Sequence, residues 1–165
     1  MKTNEILLGK RILVVDDEKD VLDIVTELLR ACKIDTASSY EEGRRFLEST
    51  RYDAAVLDIM GVRGFDLLDI ARARNIPALM LTAHALSEAS LGTSIERGAA
   101  YFVPKEKINR IDLYVADVLE AREGKKNPWA RWLRRLGSTL DAAFTGPEWR
   151  ERQKDFIKGL KKAGW

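Results

Sequence analysis

Three aspartates, one threonine and one lysine are the residues of this sequence whose types and spacing could do chemistry. Asp16 and Asp17, Asp58, Thr82 and Lys105 each follow a short apolar run. If those runs are strands of one parallel sheet, their carboxyl ends share an edge, and the five side chains converge there. Carboxylates within a few Å of one another repel and cannot all stay ionised unaided. A hard divalent cation supplies the missing charge, and Mg²⁺ suits it because it takes one or two carboxylates and keeps waters that phosphate oxygens can replace. The set fits phosphoryl transfer to an aspartate. The carboxylate attacks in line, metal and ammonium neutralise the equatorial oxygens, and the hydroxyl bonds the transferred group.

The elements that must position these residues are legible. Ile12-Leu13-Val14-Val15 is a continuous apolar run, as in a strand buried on both faces. Val21, Leu22, Ile24, Val25, Leu28 and Leu29 follow at helical spacing. Further strands are expected at Ile34–Ala37, Ala54–Leu57, Pro77–Leu81 and Ala100–Val103. Helices are expected from Tyr40 to about Leu47, around Phe65–Ile70, over Leu86–Arg97 and over Ile108–Leu119. Ser39 should cap the Tyr40 helix in a capping box with Glu42, and Gly98 should stop the fourth helix. Strands alternating with helices imply right-handed βαβ units and a parallel sheet covered on both sides.

At these residues the sequence resembles the receiver domain of two-component response regulators, over residues 9–121. The matching segments are Ile12-Leu13-Val14-Val15-Asp16-Asp17-Glu18, Val56-Leu57-Asp58-Ile59-Met60, Leu79-Met80-Leu81-Thr82-Ala83, and Gly98-Ala99-Ala100-Tyr101-Phe102-Val103-Pro104-Lys105. Each segment alone is a weak signal; four in order are a strong one. The resemblance implies a flavodoxin-like α/β fold, a five-stranded parallel sheet of order 2-1-3-4-5 with helices on both faces. It implies Asp58 as phosphoacceptor. Asp17, Asp58 and the backbone carbonyl of Met60 would bind Mg²⁺, with Asp16 acting mainly through water. Thr82 and Lys105 would contact the phosphoryl group. Phe102 takes the position of the family's switch aromatic, coupled to Thr82, although a plain core role fits it too.

The sequence departs from the family pattern in places. The loop after Asp58 lacks the usual Pro and reaches Gly64 about two residues early. Lys105 is followed by Glu106 instead of Pro, and a cis bond there would cost about 2.5–4 kcal/mol. A trans bond and an altered turn after the fifth strand are therefore expected. Met60 and His84 stand at positions that govern water access in the family. A Met beside the acceptor should exclude water and slow autodephosphorylation, whereas His84 reads as an ordinary loop residue. Lone Cys32 reads as structural.

Composition divides the 165 residues into two regions. Residues 122–165 hold 12 Lys/Arg against 5 Asp/Glu, a net +7, together with all four tryptophans, while residues 1–121 carry −5. The joint is Glu123-Gly124-Lys125-Lys126-Asn127-Pro128. The expected division is thus a receiver domain over 1–121 and a basic, Trp-rich helical extension over 122–165. In the extension, 129–144 reads as one amphipathic helix, with Arg131, Arg134 and Arg135 towards its other face or edges. Thr145-Gly146-Pro147 is a stop and restart, and Trp149, Phe156, Ile157 and Leu160 mark a second helix, making a hairpin. About 40 residues are too few for a helix-turn-helix output module, which argues against sequence-specific DNA binding. Docking of the basic tail on the acidic body or on a second copy is the favoured use, ahead of a separate partner, a membrane surface or nucleic acid.

Other classes are disfavoured. There is one cysteine, so no intrachain disulfide is available, and no apolar run reaches the roughly 18–20 residues of a membrane span. Ile6-Leu7-Leu8 is too short for a signal peptide. A cytoplasmic location is expected. No Walker loop, dinucleotide fingerprint or zinc spacing appears. Two readings remain. The first is a phosphorylation switch fed by a histidine kinase or phosphotransfer protein, whose chemistry is no more than self-directed phosphotransfer and autodephosphorylation. Its output face would be the fourth helix, fifth strand and fifth helix, with homodimerisation through that face or through the tail. The second is a degenerate receiver acting as a constitutive adaptor through its C-terminal helices. A hydrolase acting on external substrates lacks any sign of a substrate pocket.

Overall fold

The computed structural model describes residues 2–83 and 86–163; His84 and Trp165 lie outside them, and so does the side chain of Leu160. Five parallel strands, β1 (Arg11–Val15), β2 (Lys33–Ala37), β3 (Ala54–Asp58), β4 (Ala78–Thr82) and β5 (Tyr101–Pro104), form one sheet. Their order is β2-β1-β3-β4-β5, as expected of a flavodoxin-like fold. The three inner strands are buried almost throughout, which is why they read as continuous apolar runs.

Helices cover both faces. On one side lie α2 (Lys19–Leu28) and α6 (Ile111–Gly124), which pack against each other. On the other lie α3 (Tyr40–Ser49), α4 (Gly64–Ala73) and α5 (Glu88–Glu96). Arg97, at the end of α5, ties that helix to α4 through Asp69 at 2.7 Å. Ser39 caps α3 by accepting from the Glu42 amide. The reciprocal bond of the expected capping box is displaced by one residue, because the Glu42 carboxylate accepts from the Ser38 amide. The fourth expected helix begins later than Leu86, at Glu88, because Ser87 and Ser90 cap it reciprocally. Gly98 ends it at φ +84°, a conformation that glycine adopts freely. The fifth does not run unbroken from Ile108. Lys105–Arg110 forms a 3₁₀ turn, and α6 follows at Ile111. Among the described residues no peptide bond is cis, Lys105–Glu106 included.

A short helix that the sequence did not suggest, α1 (Thr3–Leu7), buries Ile6 and Leu7 and packs on α6. The Cys32 thiol donates to the Leu7 carbonyl at 3.3 Å, and burial pushes its pKa up to about 11, as suits a structural cysteine.

The tail is three helices, not a hairpin: α7 (Pro128–Ala143), α8 (Glu148–Arg152) and α9 (Lys154–Ala163). The expected second helix breaks at Gln153, between Trp149 and Phe156. Asn127 caps α7, and Thr145 and Gly146, both at positive φ, make the turn into α8. Trp129, Trp132 and Trp149 are buried and meet edge-to-face, with centroids 4.7 Å apart for the first pair and 6.0 Å for the second. At ~150–250 Å² each and about 25 cal/mol per Å², these three rings contribute on the order of 11–19 kcal/mol as an upper bound.

Trp129 and Trp132 bury against the body, and Trp149 packs behind them on Trp132 and Phe144. α7 packs on α6 and β5, and Arg152 reaches Glu88 on α5. Since α5 and α6 lie on opposite faces, the tail wraps the open β5 edge of the sheet. The N-terminal part of α7 donates twice to the body's backbone. The Trp129 indole bonds the Ala99 carbonyl at 2.9 Å, and the Trp132 indole bonds that of Phe102 at 2.7 Å. Arg131 is half-buried, and Arg135, though exposed, turns its guanidinium inward. They converge on Asp117 of α6, which is buried and also accepts from the Tyr101 hydroxyl at 2.8 Å. Arg135 approaches as a fork, with Nε at 2.6 Å and Nη2 at 3.1 Å, and Arg131 adds a contact at 3.3 Å.

Candidate functional site

Asp16 and Asp17 follow β1, Asp58 and Thr82 are the last residues of β3 and β4, and Lys105 follows β5. All five meet at the carboxyl edge of the sheet. Asp16, Asp58 and Thr82 are buried, and Asp17 is exposed. The Lys105 ammonium bridges the pocket, 2.8 Å from Asp16 and 3.2 Å from Asp58. It also reaches Glu18 at 2.8 Å, a partner that the sequence did not single out although Glu18 continues the acidic run. The 3₁₀ turn therefore aims Lys105 inward without a following proline.

Two buried carboxylates share one lysine, and the electrostatics record the imbalance. Burial, reinforced by the charge of Asp16, pushes the Asp58 pKa up to about 6 even though Lys105 opposes it. Burial likewise raises that of Asp16 against the pull of Lys105. Burial works against the Lys105 charge, but the bonds to Asp16 and Glu18 and the charge of Asp58 outweigh it and hold its pKa above the usual lysine value. Thr82 Oγ1 is buried with no hydrogen-bond partner among the described residues. An orphaned hydroxyl beside an under-neutralised carboxylate is what a site for an incoming oxyanion and cation looks like.

The donor set fits a hard divalent cation. Asp16, Asp17 and Glu18 can each place one carboxylate oxygen within 4.8 Å of the others. The loop after β3 closes on them. A Cβ on Gly61 would come within 2.5 Å of the Asp17 carboxylate, and one on Gly64 would overlap the Asp58 carbonyl. The shortened loop thus keeps glycine where the backbone has to pass the acids. Met60 is 54% exposed, whereas Asp58, at 4%, is buried at the strand end. Phe102 is fully buried and belongs to the core cluster.

Residues 12–116 match the family "Response regulator receiver domain". Regulatory protein VanRc of Enterococcus gallinarum is 34% identical over 103 residues, 59% of this chain and 44% of that protein. Heme response regulator HssR of Staphylococcus aureus is 42% identical over 82 residues, 46% of this chain and 37% of that one. A CheY-like receiver domain from Methanospirillum hungatei superimposes with a TM-score of 0.64 at 25% identity, covering 71% of this chain and 98% of that one. NtrX from Brucella abortus, solved with ADP, gives 0.63 at 31% identity, over 72% of this chain and 29% of NtrX. This chain belongs to the response regulator receiver family. It spans less than half the length of the two curated relatives named above. The family match stops at residue 116, so α7, α8 and α9 lie beyond it. Among the described residues no helix is long and apolar enough to cross a membrane.

Proposed function

We propose that this chain is a cytoplasmic phosphorylation switch in which Asp58 accepts a phosphoryl group from a histidine kinase or phosphotransfer protein. The supporting observation is the Lys105 ammonium held between buried Asp16 and Asp58, beside the unpartnered Thr82 hydroxyl. An Asp58 carboxylate oxygen attacks phosphorus, the bond from phosphorus to the donor imidazole nitrogen breaks, and the electron pair leaves with the imidazole. Lys105 turns from its carboxylate partners to an equatorial phosphoryl oxygen. Thr82 Oγ1 donates to another and gains the partner it lacks. Asp16, Asp17, Asp58 and the Met60 carbonyl would hold Mg²⁺, which when bound offsets the negative charge gathered at the reacting group. Hydrolysis of the resulting acyl phosphate returns the resting state, so the chemistry is self-directed.

The test is intact mass after incubation with Mg²⁺ and acetyl phosphate, with Asp58→Asn alongside. One phosphoryl group is expected on the native chain and none on the variant. An unmodified native chain, or equal modification of the variant, would overturn the reading. An unmodified chain that also fails to bind Mg²⁺ would favour the constitutive adaptor instead.

A further inference from the structure

We propose that the groove between α6 and α7 is a binding site for a small phosphate monoester, in which arginines hold the dianionic head and Leu113 and Tyr114 receive the organic body. The site shares no residue with the acid pocket, and the proposal does not rest on the phosphoacceptor reading.

The groove has a volume of about 560 Å³. Arg110, Leu113 and Tyr114 of the body line one side of it, and Arg131, Arg134 and Arg135 of the tail the other. Small-molecule sites span roughly 300–1,000 Å³, so the groove has room for a ligand of that kind. None of the lining residues is acidic. Asp117 stands behind the arginines, buried. α6 begins at the same place, and no side chain caps its N-terminal, electropositive end.

Holding the tail on the body accounts for only part of this charge. Arg131 and Arg135 match Asp117, and Arg131 also reaches Glu120. Arg110 lies 3.6 Å from Asp112, too far for a hydrogen bond. Arg134 makes no hydrogen bond or ion pair among the described residues. Arg131 stands three positions before it on α7, and like charges at that spacing repel. Arg135 gives Nε and Nη2 to Asp117, and its Nη1 has no partner among the described residues. Arg134, the loosely paired Arg110 and the Nη1 of Arg135 thus bring donors without acceptors to one groove. Planar guanidinium groups match the oxygens of a phosphate. A monoester carries close to two negative charges and balances both Arg110 and Arg134. A diester, as in a nucleic-acid backbone, carries one and would leave an arginine unmatched. Leu113, half-buried, and Tyr114, buried, offer the body of an ester an apolar floor that inorganic phosphate cannot use.

The experiment uses the full chain in EDTA, which keeps cations out of the acid pocket, at about pH 8, where a monoester carries both charges. Calorimetric titration compares phenyl phosphate with inorganic phosphate. Phenyl phosphate should bind saturably and about tenfold or more tightly than inorganic phosphate, and Asp58→Asn should bind it as the native chain does. Arg110→Glu and Arg134→Glu, both at exposed positions, should each weaken phenyl phosphate about tenfold or more, as loss of charged hydrogen bonds does. Arg44→Glu, an exposed arginine outside the groove, should leave its affinity unchanged. Circular dichroism checks that each variant is folded. Absence of saturable binding, or equal affinity in the native, Arg110→Glu and Arg134→Glu chains, would overturn the site. Phenyl phosphate bound no more tightly than inorganic phosphate would overturn the assignment of an ester. Sedimentation with phosphatidylcholine vesicles containing phosphatidate is the lipid arm: a chain that pellets with them but does not bind phenyl phosphate would overturn the small-molecule assignment in favour of a membrane surface.

Discussion

Two places in this molecule bury aspartate, and they are opposite in kind. At the β5 edge, Asp117 is enclosed by two arginines and a tyrosine hydroxyl, so its charge and its lone pairs are matched. At the carboxyl edge, Asp16 and Asp58 share the single ammonium of Lys105 with Glu18, and burial raises the Asp58 pKa to about 6. The first cluster is electrostatically complete and fastens the tail. The second is short of positive charge, and the hydroxyl beside it has no partner. Buried charge that is fully paired does structural work, whereas buried charge left short of a counter-ion marks a site that something else completes.

The contrast predicts opposite signs for removing the two kinds of carboxylate. Asp117→Ala should destabilise the chain by about 2–4 kcal/mol in urea unfolding, since it orphans the Tyr101 hydroxyl and takes from Arg135 the carboxylate its fork grips, while Arg131 keeps Glu120. A loss below about 1 kcal/mol would put Asp117 in the same class as a surface ion pair. Asp58→Asn should instead stabilise the metal-free chain at pH 7, by about 1–3 kcal/mol. The sign follows from linkage. A carboxyl whose folded pKa lies above its unfolded value binds more protons when folded, so stability falls as pH rises from about 4 to about 6 and stays lower above that. The difference in unfolding free energy between native and variant chains, followed from pH 4 to 7 in EDTA, should therefore open over that window. A flat difference would mean that Asp58 ionises freely.

Smaller effects sharpen the distinction. Arg135→Lys keeps the charge at Asp117 but loses the fork, and should cost about 1 kcal/mol. Arg44→Ala removes an exposed i,i+4 pair with Glu48 and should change stability by less than about 0.5 kcal/mol. If these two variants were equal in thermal and urea unfolding, the Asp117 cluster would be no stronger than an ordinary surface pair.

Much of the fold was legible because the strands are buried on both faces, so that Ile12–Val15 and Ala54–Leu57 need no alternation to be recognised. The pocket was legible for a related reason: its residues follow those strands, and the strand order brings them together. What escaped depends on contacts between distant segments. The five-residue α1 is too short to show a period, and it is stabilised by packing on α6. The break at Gln153 is invisible to a count of apolar positions. The Lys105–Glu18 pair joins residues 87 apart. The tail latch did leave a trace, an aspartate inside the apolar run Val115-Ala116-Asp117-Val118-Leu119 with surplus arginines downstream. Read together, a charge on a buried helix face and unmatched opposite charges nearby announce a pair.

The most direct test of the incomplete pocket is unfolding of the native chain and Asp58→Asn at pH 7, with EDTA and then with 10 mM Mg²⁺. For a dissociation constant of about 1 mM, the ion should stabilise the native chain by about 1.4 kcal/mol. The variant lacks one of the ligands and should gain little, so the advantage it holds in EDTA should shrink or reverse. Equal stability of the two chains in EDTA, or no response of the native chain to the ion, would contradict a pocket built to be completed by a cation.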